Sequence, residues 1–417
     1  MVNNDRIKEV TKDMGTSMIS PKTYILGNGD NSMKIEKMTI DNVNGIKHLD
    51  LNFNDGLNLI CGENGVGKTT ILKAITHQFL YGPDTFIKKH FDTEKGKVII
   101  WIKGDSNPIG YEVLDFVPGT ISIFNNDKNK SDNILYFSPS RAIQYNKIAA
   151  LPPSETKEKE THYSAQSLTS GVQNDIKEWF ISRLLFSKLE DSLSETQIKN
   201  LCLSKKTFHL LDNNLSVKTA KPNYEIILQQ RNNEIYFEML SDGYKSCIFI
   251  LLGIIKEVEY RFPETNAIDF DGIIMIDEID VHLHPQWQAK LVKVLKETFP
   301  KAQIIATTHS PSVLQNAKAE EIIPLYKDEN GDVYIKELHL GEYGLQGWTL
   351  EEIMKDVMGM ESTTSDLYTK IMSEFDYAMK EDNIKVAKEK YELLNKMWHP
   401  DNVLRQLLKI QMAGMEE

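Results

Sequence analysis

A glycine-rich segment between an apolar run and an amphipathic stretch constrains this chain more than any other feature. It spans residues 62–70 and reads GENGVGKTT, with the glycine, lysine and hydroxyl spacing of a phosphate-binding loop. The preceding LNLI (57–60) predicts a buried strand, and apolar residues recur at helical spacing over 71–79. A strand, a glycine loop and a helix in this order predict a site that holds phosphate oxygens on loop amides and a helix N-terminus.

The residues of this loop have predicted roles in binding a nucleotide. Lys68 would reach the terminal phosphates, and the Thr69 hydroxyl would ligate Mg²⁺. ATP and Mg²⁺ are therefore the predicted cofactors. The predicted nucleotide-contacting residues of the loop are Asn64, Gly65, Val66, Gly67, Lys68, Thr69 and Thr70.

Composition and charge restrict where the protein works and what it binds. The chain has 417 residues and a net charge of −12, which argues against a surface that binds nucleic acid throughout. Residues 1–20 lack the apolar core of a secretion signal, and the strongest apolar run (248–255) is too short to cross a bilayer. Three widely spaced cysteines indicate a reducing compartment. We expect a cytoplasmic protein with no membrane partner.

The order of the predicted elements indicates an α/β protein with added parts. Strand-like segments before and after the glycine loop predict an antiparallel β region, and the strand–helix–strand order after residue 272 is typical of a doubly wound sheet. The end of the chain is predicted to be helical. The predicted segments are a leader (1–32), a head (33–340) with a first lobe (about 33–141 and 266–340) and a helical second lobe (about 142–265), and a C-terminal helical subdomain (341–417).

Two carboxylates follow a short apolar strand in the last third of the chain. The strand reads IIMI (273–276), and Asp277 and Glu278 come directly after it. The carboxyl end of such a strand faces the ligand crevice of an open α/β sheet. We expect Asp277 to hold Mg²⁺ through water, and Glu278 to orient and deprotonate the attacking water.

Two further segments are candidates for the same site. His309 ends a second apolar strand, where an imidazole could contact the γ-phosphate, and we assign it a catalytic sensor role. The segment LSDGYKS (240–246) opens a long apolar helix, and its Ser241 and Gly243 would create another anion-binding helix N-terminus. Each pattern also occurs in ordinary structural settings, so the order of the motifs along the chain carries the assignment.

That order resembles the ATP-binding-cassette ATPases, and specifically their SMC-like heads. The resemblance covers about residues 34–326 and implies the P-loop fold of that family, with LSDGYKS as the signature segment. It implies that two chains pair head to tail, so that Ser241 and Gly243 contact ATP held by the other chain. It makes Asp280 the D-loop residue, and residues 138–144 are our assignment for the glutamine loop. A homodimer or a higher even oligomer is expected.

A narrower resemblance is carried by EIDVHLHPQWQ, YFSPSRA and GLQGWTLEEIMKDVMGM. These segments are similar to the ATPases of the bacterial Septu anti-phage systems, and also to those of some retron defence systems. The resemblance implies a regulatory ATPase that works with an HNH nuclease subunit and meets DNA through that complex. We expect no nuclease activity in this chain, because the residues after His309 have no clustered carboxylates at strand ends.

Two alternatives to a nuclease regulator remain at this point. In one, the C-terminal helices are a docking platform for another protein and ATP is structural. The apolar stripes of these helices would serve either docking or core packing. They are Leu367, Ile371, Phe375 and Met379, and Leu404, Leu407 and Leu408. In the other, the chain is an SMC-like DNA repair or recombination ATPase that binds duplex DNA directly. The candidate contacts for DNA are Lys128, Lys130, Lys205, Lys206, Lys218 and Lys221.

Overall fold

A computed structural model describes residues 32–117, 122–125, 130–140, 148, 163–172, 175–360 and 362–413. The predicted leader, apart from Ser32, lies outside these residues. So do residues 141–144 of the predicted glutamine loop and Lys128.

The described strands and helices follow each other in an α/β order. The strands are β1 Ile35–Val43, β2 Ile46–Asn52, β3 Leu57–Gly62, β4 Tyr81–Asp84, β5 Gly96–Ile102, β6 Ile109–Val113, β7 Ser122–Asn125, β8 Ile134–Phe137, β9 Leu215–Ala220, β10 Ile226–Gln230, β11 Asn233–Tyr236, β12 Ile273–Ile276, β13 Gln303–Thr307, β14 Ile322–Lys327 and β15 Val333–Ile335. The α-helices are α1 Lys68–Phe79, α2 Tyr163–Ser170, α3 Ile176–Phe186, α4 Glu195–Leu211, α5 Asp242–Arg261, α6 Pro285–Thr298, α7 Pro311–Leu314, α8 Leu350–Glu352, α9 Asp366–Lys380, α10 Ile384–Met397 and α11 Leu404–Ala413.

The central sheet has the strand order β15-β14-β3-β13-β12-β8. All neighbours are parallel except β14 and β15. Every residue of β3, β8, β12 and β13 is buried, as expected for parallel strands covered on both faces. Because β3 lies beside β13 and β13 beside β12, the loops after these three strands meet at one edge of the sheet.

An antiparallel sheet with the order β2-β1-β5-β6 forms the β lobe. Its inward side chains, among them Met38, Ile40, Val98 and Ile100, share a core with Leu72 of α1. Strands β5 and β6 form an antiparallel hairpin in which β6 ends at Val113. The parallel sheet and this lobe confirm the predicted α/β P-loop fold.

The second lobe packs α3, α4 and α5 around Phe180 and Phe208, whose rings stack at a centroid distance of 5.7 Å. It also contains a three-stranded antiparallel sheet, β9-β10-β11. Our sequence prediction missed β9, because only its two end residues are fully buried and the alternation of apolar residues is weak. Strand β11 ends at Tyr236, and a 3₁₀ turn follows over Phe237–Met239.

A buried ion pair joins α5 to its neighbours. The guanidinium of Arg261 donates to Glu257 Oε2 over 2.9 and 3.0 Å and to the Ile134 carbonyl oxygen over 2.7 Å. Ser167 Oγ of α2 accepts from the same guanidinium at 2.9 Å, and Tyr163 Oη donates to Glu257 Oε1 at 2.7 Å. Both charged side chains are fully buried, so this cluster connects α5, α2 and β8 inside the core.

The C-terminal part begins inside the main core. Leu345, Ile353, Val357 and Met358 are buried there, the last three in or next to a π-helical turn at residues 353–357. Gly359 follows with a φ of +76°, and a Cβ built on it would lie 2.5 Å from Glu63 Oε1 of the phosphate loop.

Helices α9, α10 and α11 form a core of their own. Ile371, Phe375, Leu394 and Trp398 are buried in it. Leu367, which we expected in the same stripe, is 58% exposed, and the neighbouring Tyr368 packs against this core instead. Within the described part of the chain, no helix combines the length and the apolar character needed to cross a bilayer.

Candidate functional site

The glycine loop connects β3 to the first residue of α1, as the sequence predicts. Gly67 precedes the helix with a φ of +108°, and Gly62 ends β3 with a φ of +136°, a region of backbone conformation that favours glycine. Glu63, Asn64 and Gly65 are exposed, Val66 is buried, Gly67 and Thr69 are half-buried, and Thr70 is buried. The exposed part of the loop is accessible to a ligand from solvent.

Lys68 is held beneath the loop. Its Nζ donates to the carbonyl oxygens of Gly62 at 2.8 Å and Glu63 at 2.7 Å. Burial lowers the pKa of this lysine from 10.5 to about 8, although nearby acidic groups act in the opposite direction. A buried cation next to loop amides is suited to binding a group with several negative charges.

The acid pair lies opposite the loop, at the end of β12. Thr69 Oγ1 donates to Asp277 Oδ1 at 3.2 Å, and Thr307 Oγ1 donates to the same oxygen at 2.6 Å. A hydroxyl and a carboxylate oxygen that meet in this way fit Mg²⁺, a hard cation that prefers oxygen ligands. Thr69 and Asp277 could therefore hold the ion, as the sequence analysis predicts.

Thr307 also determines the backbone after Asp277. Its hydroxyl accepts from the Glu278 amide at 2.7 Å, and its carbonyl oxygen accepts from the Ile279 amide at 2.9 Å. Glu278 has a φ of +49°, which is uncommon for a residue with a side chain. Thr307 has no role among the predicted site residues, although a hydroxyl at the end of an otherwise apolar strand was a signal for it.

Asp280 and His309 meet on the same edge. Asp280 Oδ1 accepts from Thr308 Oγ1 at 2.6 Å and from the His309 amide at 3.1 Å. Burial, and then the charge of Lys68, lower the pKa of His309 below its ordinary value of 6.5. The imidazole is therefore neutral at neutral pH.

Charges connect these residues across the crevice. Asp277, Glu278 and Asp280 each act to raise the pKa of Lys68, and the same three act to raise the pKa of His309. The structure thus brings the phosphate loop, the acid pair, the D-loop residue and the histidine together in one chain. In the described residues, no group of three or more His, Cys, Asp or Glu side chains is arranged to hold a metal ion.

The signature segment lies in a different place. Ser241 is exposed and caps α5, and its Oγ accepts from the Tyr244 amide at 3.3 Å. Gly243 is packed against the loop before α6, where a Cβ would lie 3.2 Å from the His282 carbonyl oxygen. In the part of the chain that the structure describes, the hydrogen bonds of Ser241 stay within the first turn of α5.

Comparison with known proteins places this chain in a family. The family model described as "AAA ATPase domain" matches residues 33–107, and that described as "AAA domain, putative AbiEii toxin, Type IV TA system" matches residues 165–315. The chain is 42% identical to the Septu protein PtuA of Bacillus thuringiensis over 392 residues. These residues are 91% of this chain and 98% of that relative. The chain belongs to the PtuA family.

Other similarities are partial. A retron Ec83 probable ATPase of Escherichia coli is 30% identical over 162 residues, which are 38% of this chain and 28% of that protein. The SMC head domain from Thermotoga maritima covers 74% of this chain and 100% of its own length, with 14% identity and a TM-score of 0.42. The predicted resemblance to Septu and retron ATPases is confirmed, and this PtuA family member carries the sequence of an AAA-type ATPase of a Septu defence system.

Proposed function

We propose that this PtuA family member binds and hydrolyses ATP, dimerises around it, and thereby controls a partner HNH nuclease. The observation that carries the proposal is the meeting of Lys68, Thr69, Asp277 and Glu278 at one edge of the sheet. These residues supply a cation, a hydroxyl and two carboxylates where a nucleotide site of this fold needs them.

Each residue has a defined task in this proposal. Lys68 exchanges its bonds to the loop carbonyls for the terminal phosphates, and the loop amides hold the remaining phosphate oxygens. Mg²⁺ held by Thr69 and Asp277 would neutralise charge on the phosphates. Glu278 accepts a proton from the attacking water, and the His309 imidazole donates a hydrogen bond towards the γ-phosphate.

The position of the signature segment supports a dimer. Ser241 is exposed and Asp242 forms a surface ion pair with Lys245, so the cap of α5 is accessible to a second chain. Since the phosphate loop is open to solvent as well, a second copy could place its Ser241 and Gly243 against a bound nucleotide. Only a difference in ATP affinity between the closed and open arrangements can drive such a switch.

The nuclease partner and the compartment belong to the same proposal. The family relationship supports a defence complex, in which the ATPase sets the activity of the HNH subunit and DNA is bound by the complex. Among the described residues, Cys61 and Cys202 carry free thiols, which is consistent with work in the cytoplasm.

Two experiments test whether each ATP site is formed by two chains. Glu278→Gln should retain ATP and shift to a larger mass on addition of ATP and Mg²⁺, measured by light scattering after gel filtration. Lys68→Ala and Ser241→Arg should each lose turnover, whereas a mixture of the two should regain activity, because a mixed dimer contains one intact composite site. A Glu278→Gln protein whose mass is the same with and without ATP would refute the dimer.

A separate experiment measures whether the ATPase regulates the nuclease partner. Co-expression with an HNH subunit should give a complex whose DNA cleavage changes between ATP and no nucleotide, and Lys68→Ala should abolish that change. Direct DNA binding by the ATPase alone is less well supported, since Lys130 and Lys218 are paired with Asp105 and Glu234. DNA binding by the ATPase alone that falls steeply with salt would favour the repair alternative.

A further inference from the structure

Thr307 makes three contacts to three consecutive residues of the acid turn. Its hydroxyl donates to Asp277 Oδ1, the same hydroxyl accepts from the Glu278 amide, and its carbonyl oxygen accepts from the Ile279 amide. The side chain is fully buried at the end of β13, next to the phosphate-loop strand β3. A hydroxyl has one proton, so donation to Asp277 leaves its lone pairs for Glu278.

From this geometry we propose that Thr307 is a positioning residue for the ATPase reaction. It holds the Asp277 carboxylate in the orientation that a metal ion needs and, through the Glu278 amide, fixes the left-handed turn from which the general base projects. This inference rests on the proposed function, because it assigns Asp277 to Mg²⁺ and Glu278 to the water.

Two observations distinguish this role from that of a buried hydroxyl that only needs hydrogen-bond partners. First, Asp277 Oδ1 accepts from both Thr69 and Thr307, so the Thr307 bond keeps the carboxylate in place when Thr69 turns to a metal ion. Second, Glu278 has a φ of +49°, and such a conformation persists only where surrounding contacts determine it. The amide of Asp277 is bound from the other side by the Phe137 carbonyl oxygen, so the turn is held between two strands.

The test compares Thr307→Val, which keeps the shape and removes the hydroxyl, with Thr307→Ser, which keeps the hydroxyl. Thr207→Val is the matched control, because Thr207 is also fully buried and its hydroxyl donates to the Ser204 carbonyl oxygen in α4. We expect Thr307→Val to lower kcat by about 10²-fold, the size of effect that a small misplacement produces. KM should change little, Thr307→Ser should recover most of kcat, and Thr207→Val should resemble wild type.

A second readout does not depend on turnover. Mn²⁺ in place of Mg²⁺ can be titrated by electron paramagnetic resonance in the presence of a non-hydrolysable ATP analogue. Thr307→Val should bind Mn²⁺ more weakly than wild type, while its affinity for the analogue without metal is unchanged. If Thr307→Val does not fold, Thr307→Ala removes the same hydroxyl with a smaller side chain.

The results separate the two proposals. Wild-type kcat and Mn²⁺ affinity in a folded Thr307→Val or Thr307→Ala protein would overturn the positioning role, and so would an equal loss in Thr207→Val. A wild-type protein without any ATP turnover would instead overturn the proposed hydrolysis, and the Mn²⁺ titration would then decide the role of Thr307.

Discussion

Raising the pH above 8 should weaken ATP binding, and Lys68 is the group responsible. In the nucleotide-free chain, burial lowers the pKa of Lys68 to about 8. Phosphates next to the ammonium would raise that pKa again, since opposite charge favours the protonated form. Binding therefore takes up a proton wherever the free lysine is neutral, so affinity is complete below pH 8 and falls above it.

The magnitude follows from the size of the shift. With a free pKa of about 8, and phosphates that keep the bound lysine protonated throughout, affinity should fall by about 25-fold between pH 7.5 and 9.5, or about 1.9 kcal/mol. His309 and Cys61 do not titrate in this window in the nucleotide-free chain. The pKa of His309 lies below 6.5, and burial raises the pKa of Cys61 to about 12.

Calorimetric titration with a non-hydrolysable ATP analogue in EDTA measures this effect. The analogue prevents turnover, and EDTA removes the contribution of a bound metal ion. At pH 8, two buffers with different ionisation enthalpies should report the uptake of about half a proton per ATP. Lys68→Arg is the control, because a guanidinium stays charged throughout the range and its remaining affinity should not depend on pH. An affinity that is flat from pH 7.5 to 9.5 in wild type would show that the lysine is charged before ATP arrives.

Three further outcomes test the fold around the site. Arg261→Met should lower the free energy of unfolding in urea by about 3 kcal/mol, because Glu257 would lose its fully buried cation and keep only Lys256 as an ion-pair partner. Gly62→Ala should abolish ATP binding in a filter assay, since a Cβ there would lie 2.1 Å from a backbone oxygen of β14. Iodoacetamide at pH 8 should modify the exposed Cys202 in the native protein and leave the buried Cys61 unmodified, as read by mass spectrometry; equal labelling would contradict the packing of β3.

The phosphate loop and the acid pair could be predicted because their signals are local. A glycine loop with the correct flanks, and two carboxylates after four apolar residues, each fit within a short stretch of sequence. The strand order that makes them neighbours is not local. The contact between Thr69 and Asp277 depends on β13 lying between β3 and β12, and this arrangement is a property of the sheet as a whole.

The elements that the sequence did not indicate have a common physical cause. Strand β9 is partly exposed and is stabilised by pairing with β10, so its own residues carry a weak pattern. Thr307 is conspicuous only when the partners of its hydroxyl are known, and those partners lie 29 and 30 residues earlier in the chain. Leu367 shows the opposite error. Its spacing predicted that it belongs to the buried face of α9, but the buried residues of that helix are Ile371, Phe375 and Ala378.

The return of the chain to the head after residue 341 determines where it can be cut. Leu345, Ile353, Val357 and Met358 fill the same apolar interior as the second lobe, and Gly359 touches the rim of the phosphate loop. A truncation at Gly341 would thus remove these side chains and leave a cavity in that interior, and an insoluble product would carry no information about docking. Removing α9 to α11 alone, by ending the polypeptide just beyond Met360, leaves that interior filled and makes loss of a partner interpretable.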